Sequence, residues 1–150
     1  MELSLKDIKQ DFPIFHNSDL VYLDSASTTQ KPQVVLDCIS SMYSEANANV
    51  HRALYSLGSV ATERYENSRK KVSSFIGANS DKEIIFTSGT TESINLLAHT
   101  LTDKLKPGDE ILLSEMEHHS NLVPWQLAAS RTGASISYIP LSEKGELDLS

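Results

Sequence analysis

The stretch SGTT at residues 88–91 contains residue types that bind anions. Gly89 lets the backbone turn sharply and approach a ligand, and the N–H groups and dipole of a following helix attract negative charge. The hydroxyls of Thr90 and Thr91 add two donors. Because the triphosphate motif GxxxxGK[ST] is absent, a monophosphate fits better. The alternative is that Thr90 only caps the helix, with Glu92 in its first turn.

A second polar stretch, EMEHHSN at residues 115–121, contains two adjacent histidines. We expect no metal here, because neighbouring side chains diverge and neither HExxH nor HxH spacing is present. One of His118 and His119 could stack on a flat heterocycle and move protons, but both cannot face the same ring. The alternative is that either histidine is a loop or capping residue bonded to backbone.

The elements that must position these stretches alternate along the chain. Apolar spacing predicts helices over 5–12, 32–45, 57–76, 90–106 and 121–131, strands over 20–23, 83–87, 110–114 and 134–140, and a polar turn over 142–147. This order indicates a parallel α/β sheet, whose ligands lie beyond the carboxyl ends of the strands. Both polar stretches follow such ends, so we expect them to open onto one crevice. Cys38 lies on the apolar stripe of its helix and is expected to be buried.

Composition excludes several classes of function. The 150 residues, 39% hydrophobic and 22% charged, suffice for one folded domain with a core. A net charge of -7 disfavours binding to nucleic acid or to an acidic membrane surface. No apolar run reaches membrane-spanning length, and the N-terminus has no signal-peptide core. The single cysteine agrees with a reducing compartment, so we expect a cytoplasmic protein.

Four segments carry a family resemblance. They are VYLDSAS at 21–27, NVHRALYSL at 49–57, EIIFTSGTTESINLLA at 83–98 and MEHHSNLVPWQ at 116–126. Together they resemble SUF-type cysteine desulfurases, which are pyridoxal 5'-phosphate (PLP) enzymes of the class V aminotransferase group. The resemblance implies the α/β three-layer sandwich of PLP fold type I. Residues 1–150 would then be an N-terminal segment, about 1–20, plus the first part of the large domain, with no second complete domain.

The resemblance also implies roles for individual residues. Thr90 and Thr91 match the pair that binds the cofactor phosphate, and His118 matches the histidine that stacks on the pyridine ring and helps in proton transfer. His51 matches a histidine on the substrate side, and the backbone of Ala26 would pass near the substrate carboxylate. The implied cofactor-binding residues are therefore Gly89, Thr90, Thr91 and His118, and the implied substrate-binding residues are Ala26 and His51.

The implied reaction takes sulfur from L-cysteine, leaving L-alanine and an enzyme persulfide, for iron–sulfur cluster assembly. Its Schiff-base lysine and catalytic cysteine lie beyond Ser150 in the family, and Lys104, Lys106 and Cys38 do not match them. We therefore expect the 150-residue chain by itself to be inactive. The implied partners are a sulfur-acceptor protein and a second copy in a full-length homodimer. Two alternatives remain open: a selenocysteine lyase of the same group and a non-catalytic phosphate-binding module.

Overall fold

A computed structural model describes residues 5–52 and 54–149 of the chain, with side chains from residue 8 onward. The chain divides into two compact units, Met1–Ile84 and Ile85–Ser150. None of the described helices combines the length and the apolar character needed to cross a bilayer.

The first unit is helical in its described part. It contains α1 (Leu5–Gln10), α2 (Gln33–Glu45) and α3 (Ser56–Ile76). The Gln33 N–H donates to the Asp11 carbonyl at 2.7 Å, which joins the start of α2 to the turn after α1. Helix α3 ends at Gly77, whose φ of 70° is the left-handed conformation typical of a C-terminal glycine. The predicted helices over 32–45 and 57–76 are therefore confirmed.

The prediction that Cys38 is buried is wrong, because its side chain is exposed. No residue of α2 is buried within the described structure, although the helix has an apolar stripe. The stripe predicted the helix correctly, but burial also requires another element that covers the stripe. Most buried residues of this unit are small, with Ala61 on α3 and Ala46 after α2 almost fully enclosed, and Ile84 is buried as well.

The second unit contains a β-α-β arrangement. Its elements are α4 (Thr90–Thr102), β1 (Glu110–Ser114), α5 (Val123–Thr132) and β2 (Ser135–Ile139). The two strands pair in parallel with Glu110 opposite Ser135 and Ser114 opposite Ile139, which confirms the predicted parallel pairing. Helix α5 lies between them in sequence and contacts both β2 and α4. Buried positions on three of these elements form the core: Ala98, Leu113, Pro124 and Ala128.

Two predicted strands are not formed. Residues 20–23 and 84–87 make no strand ladder, and a 3-10 turn at Asp81–Glu83 occupies the start of the second segment. A strand exists only when its backbone pairs with a neighbour, and no described segment pairs with either one. Several of their apolar side chains are open, with Leu23 90% and Ile85 69% exposed, whereas Ile84 is buried. The polar turn over 142–147 is present, closed by an antiparallel bridge between Leu141 and Leu147.

Candidate functional site

The start of α4 presents two hydroxyl groups that have no partner in the described part of the chain. Thr90 and Thr91 are its first two residues and are exposed, and neither side chain makes a hydrogen bond to a described residue. The neighbouring hydroxyls are occupied, since Thr87 Oγ1 and Ser93 Oγ lie 2.7 Å apart. The N-cap residue is Gly89, which has no side chain to cap the helix, so the alternative in which Thr90 is the cap is wrong.

A carboxylate holds the turn before α4 in place. The N–H and the hydroxyl of Ser88 donate to Glu92 Oε2 at 2.6 and 2.5 Å. These two bonds hold the pKa of Glu92 below its usual value, and the bond from the Ser88 hydroxyl has the larger effect. Glu92 therefore stays ionised and fixes Ser88 relative to the first turn of the helix.

The backbone at this helix start is also free to donate. The first bond inside α4 runs from the Ser93 N–H to the Gly89 carbonyl at 3.1 Å. The N–H groups of Thr90, Thr91 and Glu92 therefore have no partner within the helix. A Cβ built on Gly89 would meet no atom within 4 Å, so the backbone is open to close approach there. Two hydroxyls and three N–H groups at an open helix N-terminus fit the phosphate group of PLP.

The second polar stretch begins where β1 ends. Ser114 Oγ donates to Glu117 Oε1 at 2.6 Å, and Asn121 Nδ2 donates to Glu117 Oε2 at 2.8 Å. Trp125 Nε1 in turn donates to Asn121 Oδ1 at 2.9 Å. Hydrogen bonds from Ser114 first, and then from Asn121, hold the pKa of Glu117 below its usual value. This network anchors the loop that contains His118 to the end of the strand.

His118 caps the 3-10 turn His119–Asn121, which confirms the capping alternative for this histidine. Its Nδ1 accepts the Ser120 N–H at 3.1 Å and lies 2.9 Å from Ser120 Oγ. Because Nδ1 accepts a backbone N–H, the neutral ring has its proton on Nε2. That nitrogen has no hydrogen-bond partner within the described ranges. Capping thus orients the ring and leaves Nε2 available.

The two adjacent histidine rings face different directions. Their planes are inclined at 78° with centroids 6.1 Å apart, so one flat ligand cannot lie against both. Residues 8–52 and 54–149 contain no cluster of three or more His, Cys, Asp or Glu side chains that could hold a metal ion. Helix α4, which begins with Thr90 and Thr91, contacts the 3-10 turn His119–Asn121, and His118 is the N-cap residue of that turn.

The other two predicted site residues lie in the first unit. Ala26 is exposed in a turn closed by hydrogen bonds from the Ser27 and Thr28 N–H groups to the Asp24 carbonyl, both 3.1 Å. His51 has a positive φ of 74°, and its ring Nε2 lies 2.6 Å from Glu66 Oε1.

The contact between His51 and Glu66 was not predicted from the sequence. Glu66 lies on α3, and Arg69 bonds its other carboxylate oxygen through Nε at 3.2 Å. The i,i+3 spacing of Glu66 and Arg69 was a readable signal of a helical ion pair. No spacing rule links either residue to a loop histidine 15 positions earlier than Glu66.

We expect Glu117→Gln to destabilise the second unit near neutral pH. The folded state lowers the pKa of Glu117, so its contribution to stability is present above the ordinary value of 4.5 and is lost as the pH falls through the lowered value. Urea unfolding midpoints should therefore differ between parent and variant near neutral pH and converge in acid. Glu143→Gln is the control, since Glu143 makes no side-chain hydrogen bond among the described residues. An equal difference at both pH values would contradict this role for Glu117.

Comparisons with known proteins show which family the chain belongs to. The family model for class-V aminotransferases matches residues 21–150. A probable cysteine desulfurase from Vibrio cholerae is 51% identical over 99% of this chain, and the chain spans 38% of that relative. A probable cysteine desulfurase from Mycolicibacterium paratuberculosis is 48% identical over 95% of this chain, which spans 22% of it.

Solved structures show the same relationship. The apo cysteine desulfurase from Thermococcus onnurineus has a TM-score of 0.91 at 38% identity, covering 99% of this chain and 36% of its own. A cysteine desulfurase from Escherichia coli has a TM-score of 0.79 at 41% identity, covering 95% and 36%. The fold also matches that of C-DES, which has a PLP cofactor, with a TM-score of 0.67 at 22% identity. The chain therefore belongs to the class-V aminotransferase family and has the fold of the N-terminal part of a PLP-dependent enzyme of fold type I.

Proposed function

We propose that this chain is the N-terminal part of a PLP-dependent cysteine desulfurase and that it supplies the phosphate site for the cofactor. The observation that carries this proposal is the pair of unpartnered hydroxyls of Thr90 and Thr91 at the open start of α4. The names of the relatives favour a desulfurase over a selenocysteine lyase. The chain spans less than two fifths of those relatives, so the activity belongs to the full-length protein.

In the proposed enzyme, residues of this chain bind and orient the cofactor and the substrate. Bound PLP supplies an electron sink that weakens bonds at the substrate α-carbon and β-carbon. Gly89, Thr90 and Thr91 would hold its phosphate through N–H and hydroxyl donors. His118 would lie against the cofactor ring, with its Nε2 available to hold or transfer a proton. His51 and the backbone at Ala26 bind on the substrate side.

The proposed reaction moves the sulfur of L-cysteine to a protein thiol. The carbon–sulfur bond of the substrate breaks, a sulfur–sulfur bond forms on the enzyme as a persulfide, and protonation leaves L-alanine. The persulfide sulfur then passes to an acceptor protein that supplies iron–sulfur cluster assembly. We place this enzyme in the cytoplasm as a homodimer when full length, and the single cysteine of this chain agrees with a reducing compartment.

The 150-residue chain by itself should bind PLP only reversibly. The resemblance places the covalent lysine and the reactive cysteine beyond Ser150, and Lys104 and Lys106 follow the C-terminal end of α4, whereas the phosphate site is at its N-terminus. Purified chain is mixed with PLP, reduced with borohydride and weighed by mass spectrometry, with the full-length protein as control. We expect one stoichiometric adduct on the full-length protein and none on the chain. A single stoichiometric adduct on the chain, with desulfurase turnover, would contradict this assignment.

A further inference from the structure

A hydrogen-bonded chain of side chains runs from His51 across α3. His51 Nε2 lies 2.6 Å from Glu66 Oε1, and Arg69 Nε donates to Glu66 Oε2 at 3.2 Å. Arg69 Nη1 donates to the carbonyl of Ile84, four residues before Ser88. Both oxygens of the Glu66 carboxylate are therefore engaged, one by the histidine ring and the other by a guanidinium. A carboxylate held at both oxygens has a fixed orientation.

His51 is more tightly held than an exposed loop histidine usually is. Its side chain is 53% exposed, yet its N–H donates to Thr62 Oγ1 at 2.9 Å, and Thr62 Oγ1 donates to the Gly58 carbonyl at 2.7 Å. The ring of Tyr65 meets the His51 ring edge-on at 5.6 Å and 87°. With a φ of 74°, His51 has an uncommon backbone conformation for a residue with a side chain. Backbone and ring are thus both fixed on α3.

The contact with Glu66 decides which ring nitrogen has the proton. A carboxylate only accepts hydrogen bonds, so the neutral His51 ring must donate from Nε2, and Nδ1 is left as the acceptor. Nδ1 makes no hydrogen bond within the part of the chain that the structure describes. The bond from His51 is also the main cause that holds the pKa of Glu66 below its usual value. Glu66 therefore remains ionised throughout the neutral range.

We propose that Glu66 is a positioning residue that keeps the proton of His51 on Nε2 and presents the unprotonated Nδ1 to the amino-acid substrate. This inference rests on the proposed function, in which His51 lies on the substrate side. Nδ1 then accepts a proton from the substrate ammonium or thiol, and the imidazolium that forms is stabilised by the Glu66 carboxylate. The arrangement is a carboxylate–histidine pair in which Glu66 itself does not touch the substrate.

Other charged groups surround the same contact. His51 and Glu66 line an open groove of about 410 Å³, together with Glu63 and Lys70 from adjacent turns of α3. Arg69 faces Glu66 from the same helix. Folding lowers the pKa of Glu66. The hydrogen bond between the Glu66 carboxylate and the His51 ring is therefore present above the ordinary value of 4.5 and is lost as the pH falls through the lowered value. Glu63 has the same charge and lines the same groove without bonding His51, so it provides a matched control.

The test is a measurement of ring protonation in the full-length protein. Histidine is labelled with ¹⁵N, the His51 signals are assigned from their loss in His51→Gln, and the ring shifts are compared in the parent, Glu66→Ala, Glu66→Gln and Glu63→Ala. We expect the proton on Nε2 in the parent and in Glu63→Ala, and a mixture of both tautomers in Glu66→Ala. Turnover of cysteine by Glu66→Ala should fall by up to about 100-fold, the scale of a misplaced catalytic group, with an altered pH profile.

Three results are decisive. An unchanged tautomer in Glu66→Ala overturns the proposal, even if turnover falls, because the role of Glu66 would then be structural. A changed tautomer with unchanged kcat and pH profile also overturns it, because His51 would not need this orientation. Absence of desulfurase activity in the parent enzyme refutes the proposed function instead. The tautomer comparison then still tests whether Glu66 holds the proton of His51 on Nε2.

Discussion

We expect replacement of His118 by alanine to lower cysteine turnover of the proposed full-length desulfurase by about 10²- to 10⁴-fold, the usual contribution of a positioned acid–base group. Replacing His119 has a much smaller effect. The two rings are inclined at 78°, so only one of them can lie against a flat cofactor. His118 is the one whose Nδ1 is fixed by Ser120 and whose Nε2 has no described partner. The measurement is kcat for each variant, with the visible spectrum of the bound cofactor.

A second substitution separates ring chemistry from capping. In His118→Asn the side-chain oxygen can still accept the Ser120 N–H, so the 3-10 turn keeps its cap but loses the imidazole. We expect this variant to be as slow as His118→Ala and to unfold at nearly the parent urea concentration. Equal losses of turnover in the His118 and His119 variants, or a larger loss for His119, would show that the assignment within the pair is wrong.

Thr91→Ala should weaken retention of PLP in the full-length protein. One hydrogen bond to a charged phosphate oxygen contributes about 1.5 to 3 kcal/mol, which corresponds to about 10- to 150-fold in affinity. Thr90→Ala should have an effect in the same direction, since its hydroxyl is also unpartnered in the described structure. The measurement is the rate of PLP loss on dialysis, followed by absorbance.

Ser93→Ala is the matched control for this substitution. Ser93 lies in the same first turn of α4, but its hydroxyl is bonded to Thr87 at 2.7 Å and to the Gly89 carbonyl at 3.2 Å. Its loss should therefore affect stability more than PLP retention. Equal retention by parent and Thr91→Ala would mean that residues 88–91 only begin a helix.

Local patterns in the sequence predicted the elements whose determinants are local. The apolar stripe and the terminal Gly77 located α3, and the apolar runs at β1 and β2 located two strands that pair with each other. Segments 20–23 and 83–87 have equally strand-like composition but no described partner. Strand formation depends on a distant neighbour, which composition does not encode. The exposure of Cys38 has the same cause, because an apolar stripe does not specify what covers it.

The candidate site was predictable to a similar extent. The SGTT stretch identified a helix start with hydrogen-bond donors. The structure adds that the hydroxyls of Thr87 and Ser93 bond to each other, while those of Thr90 and Thr91 have no partner among the described residues. The contact that holds the His51 ring against Glu66 was not predictable. It depends on a positive φ in a loop and joins residues 15 positions apart. Neither property has a local sequence signal.

The most direct test of the proposed enzyme is the quantity of L-alanine formed from L-cysteine. The full-length protein is incubated with PLP and L-cysteine, and alanine and protein-bound persulfide sulfur are measured in the same sample. We expect one alanine for each sulfur transferred, and no alanine once PLP has been removed. If PLP binds and cysteine is not converted to alanine, this chain is not part of a cysteine desulfurase. If alanine forms only from selenocysteine, the enzyme is a selenocysteine lyase.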